Sequence, residues 1–288
     1  MKTHGLAVAI LFLVATAWGM TFTLVKNVLA QIAPEPFIFW RFTAAGLVLV
    51  VIAAVRRQLT LAAVRPGLIL GALVFAGYWA QTRGLMAISP SRSAFLTGLY
   101  VVMVPFADRL LFRVRISGRA WSGSLLAVIG TALLIGGWNA RPTFGDALTF
   151  FCAIAFALHV VLSAKYSSDV SALALAAVQV LTVGLAAAPV SLGARRFVVT
   201  PQLVAVILFT AIVTTALAFV ALMWGQARVT ATEAAVILAF EPVAASITSI
   251  VFDREPITRP FLAGAALILG AMVLSQLPER PTRDPMTA

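Results

Sequence analysis

The chain contains one unit twice. The nineteen residues GLMAISPSRSAFLTGLYVV, beginning at Gly84, recur in outline 141 positions later as GQARVTATEAAVILAFEPV, beginning at Gly225. The register holds without a gap through RIS at 115–117 and PIT at 256–258, and on to Gly123 and Gly264. Upstream the correspondence continues at a spacing of 138, which pairs Arg41 with Gln179 and Gly46-Leu47 with Gly184-Leu185. A whole half is copied, so the fold must repeat one structural unit.

The solvent of that unit follows from composition. Hydrophobic residues make up 61% of the 288 positions and charged residues 11%, with a mean hydropathy of +1.02, against about 45–50% and about 25% in soluble domains. A helix needs about 20 mostly apolar residues to cross a bilayer. Breaks at charges, Pro and Gly delimit ten such segments, near 6–30, 35–55, 67–87, 91–112, 117–137, 145–166, 170–192, 201–226, 230–252 and 259–277. Five spans per unit is an odd number, so the second unit must enter the membrane upside down relative to the first. The expected fold is an all-α integral membrane protein, with ten transmembrane helices arranged as two inverted five-helix repeats. The first repeat covers 1–138 and the second 139–277, followed by a disordered cytoplasmic tail at 278–288. Inverted repeats recur in membrane transporters, where they supply two pseudo-symmetric ways to open.

A net charge of +11 invites nucleic acid as a partner, but the basic residues lie in loops between spans and report orientation instead. With the N-terminus inside, 11 Lys and Arg face the cytoplasm and 8 the other side, while Arg41 and Arg109 lie within spans. Both termini are therefore expected in the cytoplasm, and the chain in a bacterial inner membrane. Met1-Lys2, the apolar run and Ala15-Thr16-Ala17 resemble a cleavable signal. The apolar pattern nevertheless continues to Ile32, and it is read as a first span. Cys152 stands alone, which excludes an intrachain disulfide and a thiolate metal site.

Several segments carry a family resemblance: Trp18-Gly19 in span one, Arg41 within FWRF in span two, and SAFLTGLYVVMVPF across span four. Phe240-Glu241-Pro242 in span nine and the closing GTALL and GAMVL segments add to it. Together they resemble the drug/metabolite transporter superfamily in its EamA-type ten-helix branch, over about residues 6–277, and most closely the YddG-type exporters of aromatic amino acids. The acidic residue that such proteins often carry before the last helix of a repeat is Glu255 in the second copy but Val114 in the first. Strict functional symmetry is therefore not expected. The resemblance implies that spans three, four, eight and nine enclose a central substrate cavity.

The residues agree with a wet pocket there. Tyr78, Gln81 and Thr82 fall at i, i+3, i+4, and Ser93, Thr97 and Tyr100 at i, i+4, i+7, each one helical stripe. Thr210, Thr214 and Trp224 share spacings compatible with one face, and Glu241 occupies the position equivalent to Tyr100. Expected substrate contacts are Tyr78, Gln81, Thr82, Phe95, Tyr100, Thr214, Trp224 and Glu241. Expected gating or structural residues are Trp18, Arg41, Arg92, His159, Glu233 and Pro242.

Each has a plainer alternative. An ionisable group mid-span costs about 2.5–3.5 kcal/mol on insertion scales, so Glu241 either binds a substrate amine or proton, or is held by an unseen structural partner. Pro242 removes a backbone donor and kinks the helix, leaving carbonyls for a cation or amine. Arg41 either snorkels to the interface along its stem or binds a carboxylate or lipid phosphate. Arg92 and Glu233, at equivalent span starts, read as cap and gate residues, and Asp108 with Arg109 as a local ion pair. His159 is either a proton relay or a neutral histidine hydrogen-bonded within the bundle. Tyr78 and Tyr100 point to the cavity, whereas Trp121 and Trp138, near span ends, suit the interfacial belt. The small residues of GALVFAG at 71–77 and GSLLAVIG at 123–130 suit close helix contact.

The function these features imply is secondary transport: export of amino acids, aromatic or hydrophobic, or of related metabolites, by alternating access. A proton-coupled exporter of hydrophobic cationic drugs is the alternative. No GxxxxGK[ST] motif appears for ATP, and no nucleophile, base or metal cluster for an enzyme. Channel features such as a filter loop or rings of like charge are likewise missing from the sequence. No cofactor and no metal are expected; the partners are a small-molecule substrate and the lipid bilayer.

Overall fold

The computed structural model describes residues 2–134, 142–193, 197–253 and 258–276. The tail at 278–288, Trp138 and Glu255 lie outside the described residues. Backbone groups in hydrocarbon have no water to bond and must satisfy one another along the chain, and the apolar segments accordingly form helices. Among the described residues there are thirteen α-helices and no β-strand, with one isolated bridge between Ile32 and Phe197.

Helices α1 (Lys2–Val28), α2 (Pro34–Val55) and α3 (Leu61–Leu85) are continuous rods. The next rod is broken into α4 (Pro90–Gly98) and α5 (Tyr100–Phe112), and is followed by α6 (Gly118–Leu134), α7 (Phe144–Tyr166) and α8 (Ala172–Ser191). Helix α9 (Pro201–Ala211) passes through a π-helical segment (Ile212–Leu217) into α10 (Ala218–Gln226). A second broken rod, α11 (Ala231–Leu238) and α12 (Glu241–Asp253), precedes α13 (Arg259–Gln276). Eight of these rods are long and apolar enough to cross a membrane. Helix α6, at 17 residues, and the apolar run Leu262–Ala271 of α13 are shorter. Large apolar side chains face outward along the rods, Leu61 at 92% exposure and Leu110 at 82% among them, as a lipid solvent allows.

One boundary differs from the sequence expectation. Pro66 marks a break in the sequence, yet α3 starts at Leu61 and runs through it. The carbonyl that Pro66 strands is four residues back, at Ala62, on the exposed first turn, where its loss of a partner matters least.

The two broken rods match in detail. Ser89 caps α4 by accepting the Arg92 amide at 3.3 Å, and its equivalent Thr230 caps α11 by accepting the Glu233 amide at 3.1 Å. The interruptions fall at Leu99 and at Ala239-Phe240, so Tyr100 and Glu241 each open the second half of a rod. The breaks adjoin: a Cβ on Gly98 would sit 3.3 Å from Pro242 Cγ.

Close helix contacts follow small residues. Gly46 of α2 lies against Leu181 of α8, and Gly184 of α8 against Thr43 of α2. Advancing three residues along α2 thus retreats three along α8, so the two cross antiparallel, and at the 138 spacing either contact maps onto the other. Gly130 of α6 meets Gly264 and Ile268 of α13. Within α3, Gly71 lies against Thr182 and Gly77 against Phe156. Such approaches gain van der Waals contact, the main attraction between helices in lipid. Helix α1 packs on α12, and the equivalent α7 packs on α4 and α5.

Candidate functional site

Where the broken rods adjoin, α1, α3, α7 and α10 close around a cavity of about 40 Å3. That is room for about three waters, well below the roughly 300–1,000 Å3 of a formed ligand pocket.

Twelve of the fourteen described residues that line it fall into six repeat-related pairs. At the 138 spacing these are Trp18 with Phe156, Thr21 with His159, and Phe22 with Val160; at 141 they are Tyr78 with Phe219, Gln81 with Leu222, and Tyr100 with Glu241. Val74 and Leu238 complete the wall. Position is shared between the halves, but chemistry is not: the first half supplies two phenols and an amide, the second a carboxyl and an imidazole.

Glu241, the first residue of α12, is 8% exposed. Among the described residues nothing makes a hydrogen bond or ion pair with its side chain. It therefore stands with a helix start behind it, whose dipole favours an anion, and the cavity in front. Gln81 donates to Thr97 at 3.0 Å. His159 Nε2 lies 2.8 Å from Gln179 Oε1 and 3.3 Å from Ser163 Oγ, so it is hydrogen-bonded within the bundle while also lining the cavity. Tyr78 stacks edge-on between Phe42 and Phe156, at 4.9 and 5.5 Å. Phe219 sits 5.7 Å from Trp18 and 6.3 Å from His159.

Arg41 does not reach the interface, because it is 2% exposed. Its Nε donates to Thr215 Oγ1 at 2.7 Å, and Nη2 to Thr214 at 3.1 Å (Oγ1) and 3.4 Å (carbonyl). Trp18 Nε1 donates to the same Thr214 carbonyl at 2.8 Å. Both acceptors belong to the π-helical segment, whose wider turn leaves carbonyls free for side-chain donors.

Four expected substrate contacts lie off the lining. Thr82 is buried but one position beyond Gln81, about 100° around the helix. Phe95 packs with Ile88 and Leu96 in a separate cluster. Thr214 is turned to Arg41 and Trp18, and Trp224 lies under the Arg228 guanidinium at 3.8 Å. The spacing of 210, 214 and 224 assumes an unbroken 3.6-residue period, and the π-helical segment between them shifts the phase. Pro242 faces Gly98. Arg92 grips Asp146 at the start of α7 through two bonds of 2.5 and 3.0 Å. Glu233 completes its capping box and pairs with His4 at 2.8 Å.

Asp108 and Arg109 do not pair, since successive helical residues point to different faces. Arg109 instead lines an open surface depression of about 560 Å3 with Arg113 and Arg115, away from the cavity. Sequence reasoning missed Thr21, Phe22, Val74, Phe156, Val160, Phe219, Leu222 and Leu238. The signal for four of them was present: carrying Trp18, Tyr78 and Gln81 across their spacings names Phe156, Phe219 and Leu222, and carrying His159 back names Thr21.

The model of the EamA-like transporter family matches the chain twice, over residues 5–136 and 143–276. An uncharacterized transporter from Archaeoglobus fulgidus is 32% identical over 270 residues, which cover 93% of this chain and 84% of that protein. A protein of known crystal structure, 19% identical, superimposes with a TM-score of 0.79 over 94% of this chain and 95% of its own. At that identity the likeness speaks to fold alone.

Proposed function

The chain belongs to the EamA-like transporter family, and on that premise we propose a secondary carrier that exports amino acids with aromatic or hydrophobic side chains, by alternating access. The observation that carries this reading is Glu241: a carboxyl on the wall of a buried cavity, among Tyr78, Tyr100, Trp18 and Phe219 rings, with no partner of its own among the described residues. A carboxylate there offers an ammonium group a charge-assisted bond, and the rings offer an aromatic side chain stacking partners.

Ten spans in two inverted repeats is the architecture we assign, with both termini cytoplasmic in a bacterial inner membrane. Support comes from the antiparallel crossing of the equivalent helices α2 and α8 and from the paired cavity lining. The equivalent breaks in the two rods add to it, for discontinuous helices meeting at a repeat interface are where such carriers bind substrate. Because the cavity is too small for an amino acid, transport requires the halves to rock apart on one side at a time.

Export of hydrophobic cations by proton exchange is the second reading, favoured by Glu241 being the one acid among the described residues that line the cavity. Purified protein in liposomes, assayed for counterflow of amino acids and of organic cations with and without a pH gradient, separates the two. Saturable amino-acid counterflow is the expected result; counterflow of cations alone would replace it with the second reading.

A further inference from the structure

A guanidinium buried in a bilayer without an acidic partner is costly, and Arg41 is in that position. All its recorded contacts are neutral: two threonines of the π-helical segment, and the Phe42 and Tyr78 rings at 5.1 and 5.0 Å from its central carbon. Arg83–Glu35 and Arg92–Asp146 are the arginine–acid ion pairs among the described residues and His4 contacts Glu233; none of these involves it. The scaffold itself does not call for a cation at this place. At the repeat-related position stands Gln179, equally buried, whose uncharged amide bonds the cavity residue His159 at 2.8 Å. The two are arranged alike, each one side-chain thickness behind the wall, Gln179 behind His159 and Arg41 behind Tyr78. Of the two, Arg41 alone carries a charge, and among the described residues that line the cavity Glu241 is the one acid, itself without a hydrogen-bond or ion-pair partner.

We propose that Arg41 is the specificity-determining residue for a substrate carboxylate, Thr214 and Thr215 holding its guanidinium in place until the carboxylate displaces them. This rests on the amino-acid reading above and deepens it: Glu241 receives the amine and Arg41 the carboxylate, so the site selects zwitterions over simple cations. A planar guanidinium matches a carboxylate through two parallel bonds, which a threonine hydroxyl cannot replace.

The test is equilibrium binding to the purified full-length protein in detergent, using phenylalanine, phenethylamine (carboxylate removed) and 3-phenylpropionate (amine removed). For wild type, phenylalanine should bind tightest. Arg41→Gln should weaken phenylalanine by about tenfold or more, the size of one charge-assisted bond, and leave phenethylamine unchanged. Glu241→Gln should weaken phenylalanine and phenethylamine together and spare 3-phenylpropionate. Arg41→Lys keeps the charge but loses the fork, and should give the same selective loss to a smaller degree; it carries the test should Arg41→Gln not fold. Equal losses of phenylalanine and phenethylamine in the Arg41 variants, or no loss, would overturn the proposal while leaving the amine site standing. Wild type binding phenethylamine as well as phenylalanine would overturn it too, and favour the cation exporter. Wild type binding none of the three would remove the substrate reading and this inference with it.

Discussion

Glu241 occupies the place of Tyr100 in the other copy, and phenol against carboxylate is the sharpest chemical difference between any two paired cavity residues. Glu241→Gln keeps the shape and hydrogen-bonding capacity and removes the charge. Initial flux of phenylalanine in liposomes should fall by about tenfold or more. Its dependence on pH should flatten, because the variant has no proton to lose at that position. A variant curve that overlays wild type across the pH series would take Glu241 out of the mechanism. The aromatic wall makes a separate prediction. Tyr78 and Phe219 are repeat equivalents on the same cavity, so alanine at either position should weaken aromatic substrates more than aliphatic ones. The ratio of leucine to phenylalanine flux reads this directly, whereas a loss of folded protein would leave the ratio unmoved.

The elements explain which residues hold that wall together. The α2–α8 crossing depends on Gly46 and Gly184, since a Cβ at Gly184 would come within 2.5 Å of Thr43 Oγ1 and 2.8 Å of Thr43 N. Backbone cannot give way as a side-chain tip can, so Gly184→Val should lower the thermal unfolding midpoint in detergent, by an overpacking cost of about 1–3 kcal/mol. Gly5→Ala, with nothing within 4 Å of the added carbon, is the control and should leave the midpoint in place. Capping and pairing at the rod starts work alongside these contacts. Asp146 satisfies both the Thr143 cap of α7 and the Arg92 guanidinium of α4, so one carboxylate ties two helix starts together. Lys26 does a comparable job at a helix end, donating to the carbonyls of Leu85, Met86 and Ile88 past the end of α3, where a cation complements the dipole.

For the molecule as a whole, the relation between the halves is the central claim. Thr60 and Val198 stand at the 138 spacing, both exposed, one at the start of α3 and the other before α9. Single cysteines at these positions, each in a background lacking Cys152, should label with a membrane-impermeant maleimide from opposite faces of intact cells. Labelling of both from one face would end the inverted-repeat reading and, with it, the explanation for the paired cavity. On that reading, symmetry accounts for the place of the cavity: residues near a two-fold relation meet their own copies, so six pairs would converge on one small volume.

How much of this could be read in advance divides along a physical line. Apolar segments, helix starts and stops, and the duplication are written into local patterns, because hydrocarbon permits little but helix and a repeat announces itself by spacing. The expected segments accordingly match the helices closely, with the start of α3 as the main departure, where Pro66 sits too near an exposed end to break anything. Which polar residue of a stripe looks inward is a question of phase, and phase depends on tertiary accidents. The π-helical segment in the eighth rod turned Thr214 toward Arg41 and left Trp224 under Arg228, something no uniform period foretells. Burial was equally out of reach for Arg41: a long stem near a span end is free to snorkel, and only the packing of α2 against the π-helical segment holds its guanidinium inside, with threonines for partners.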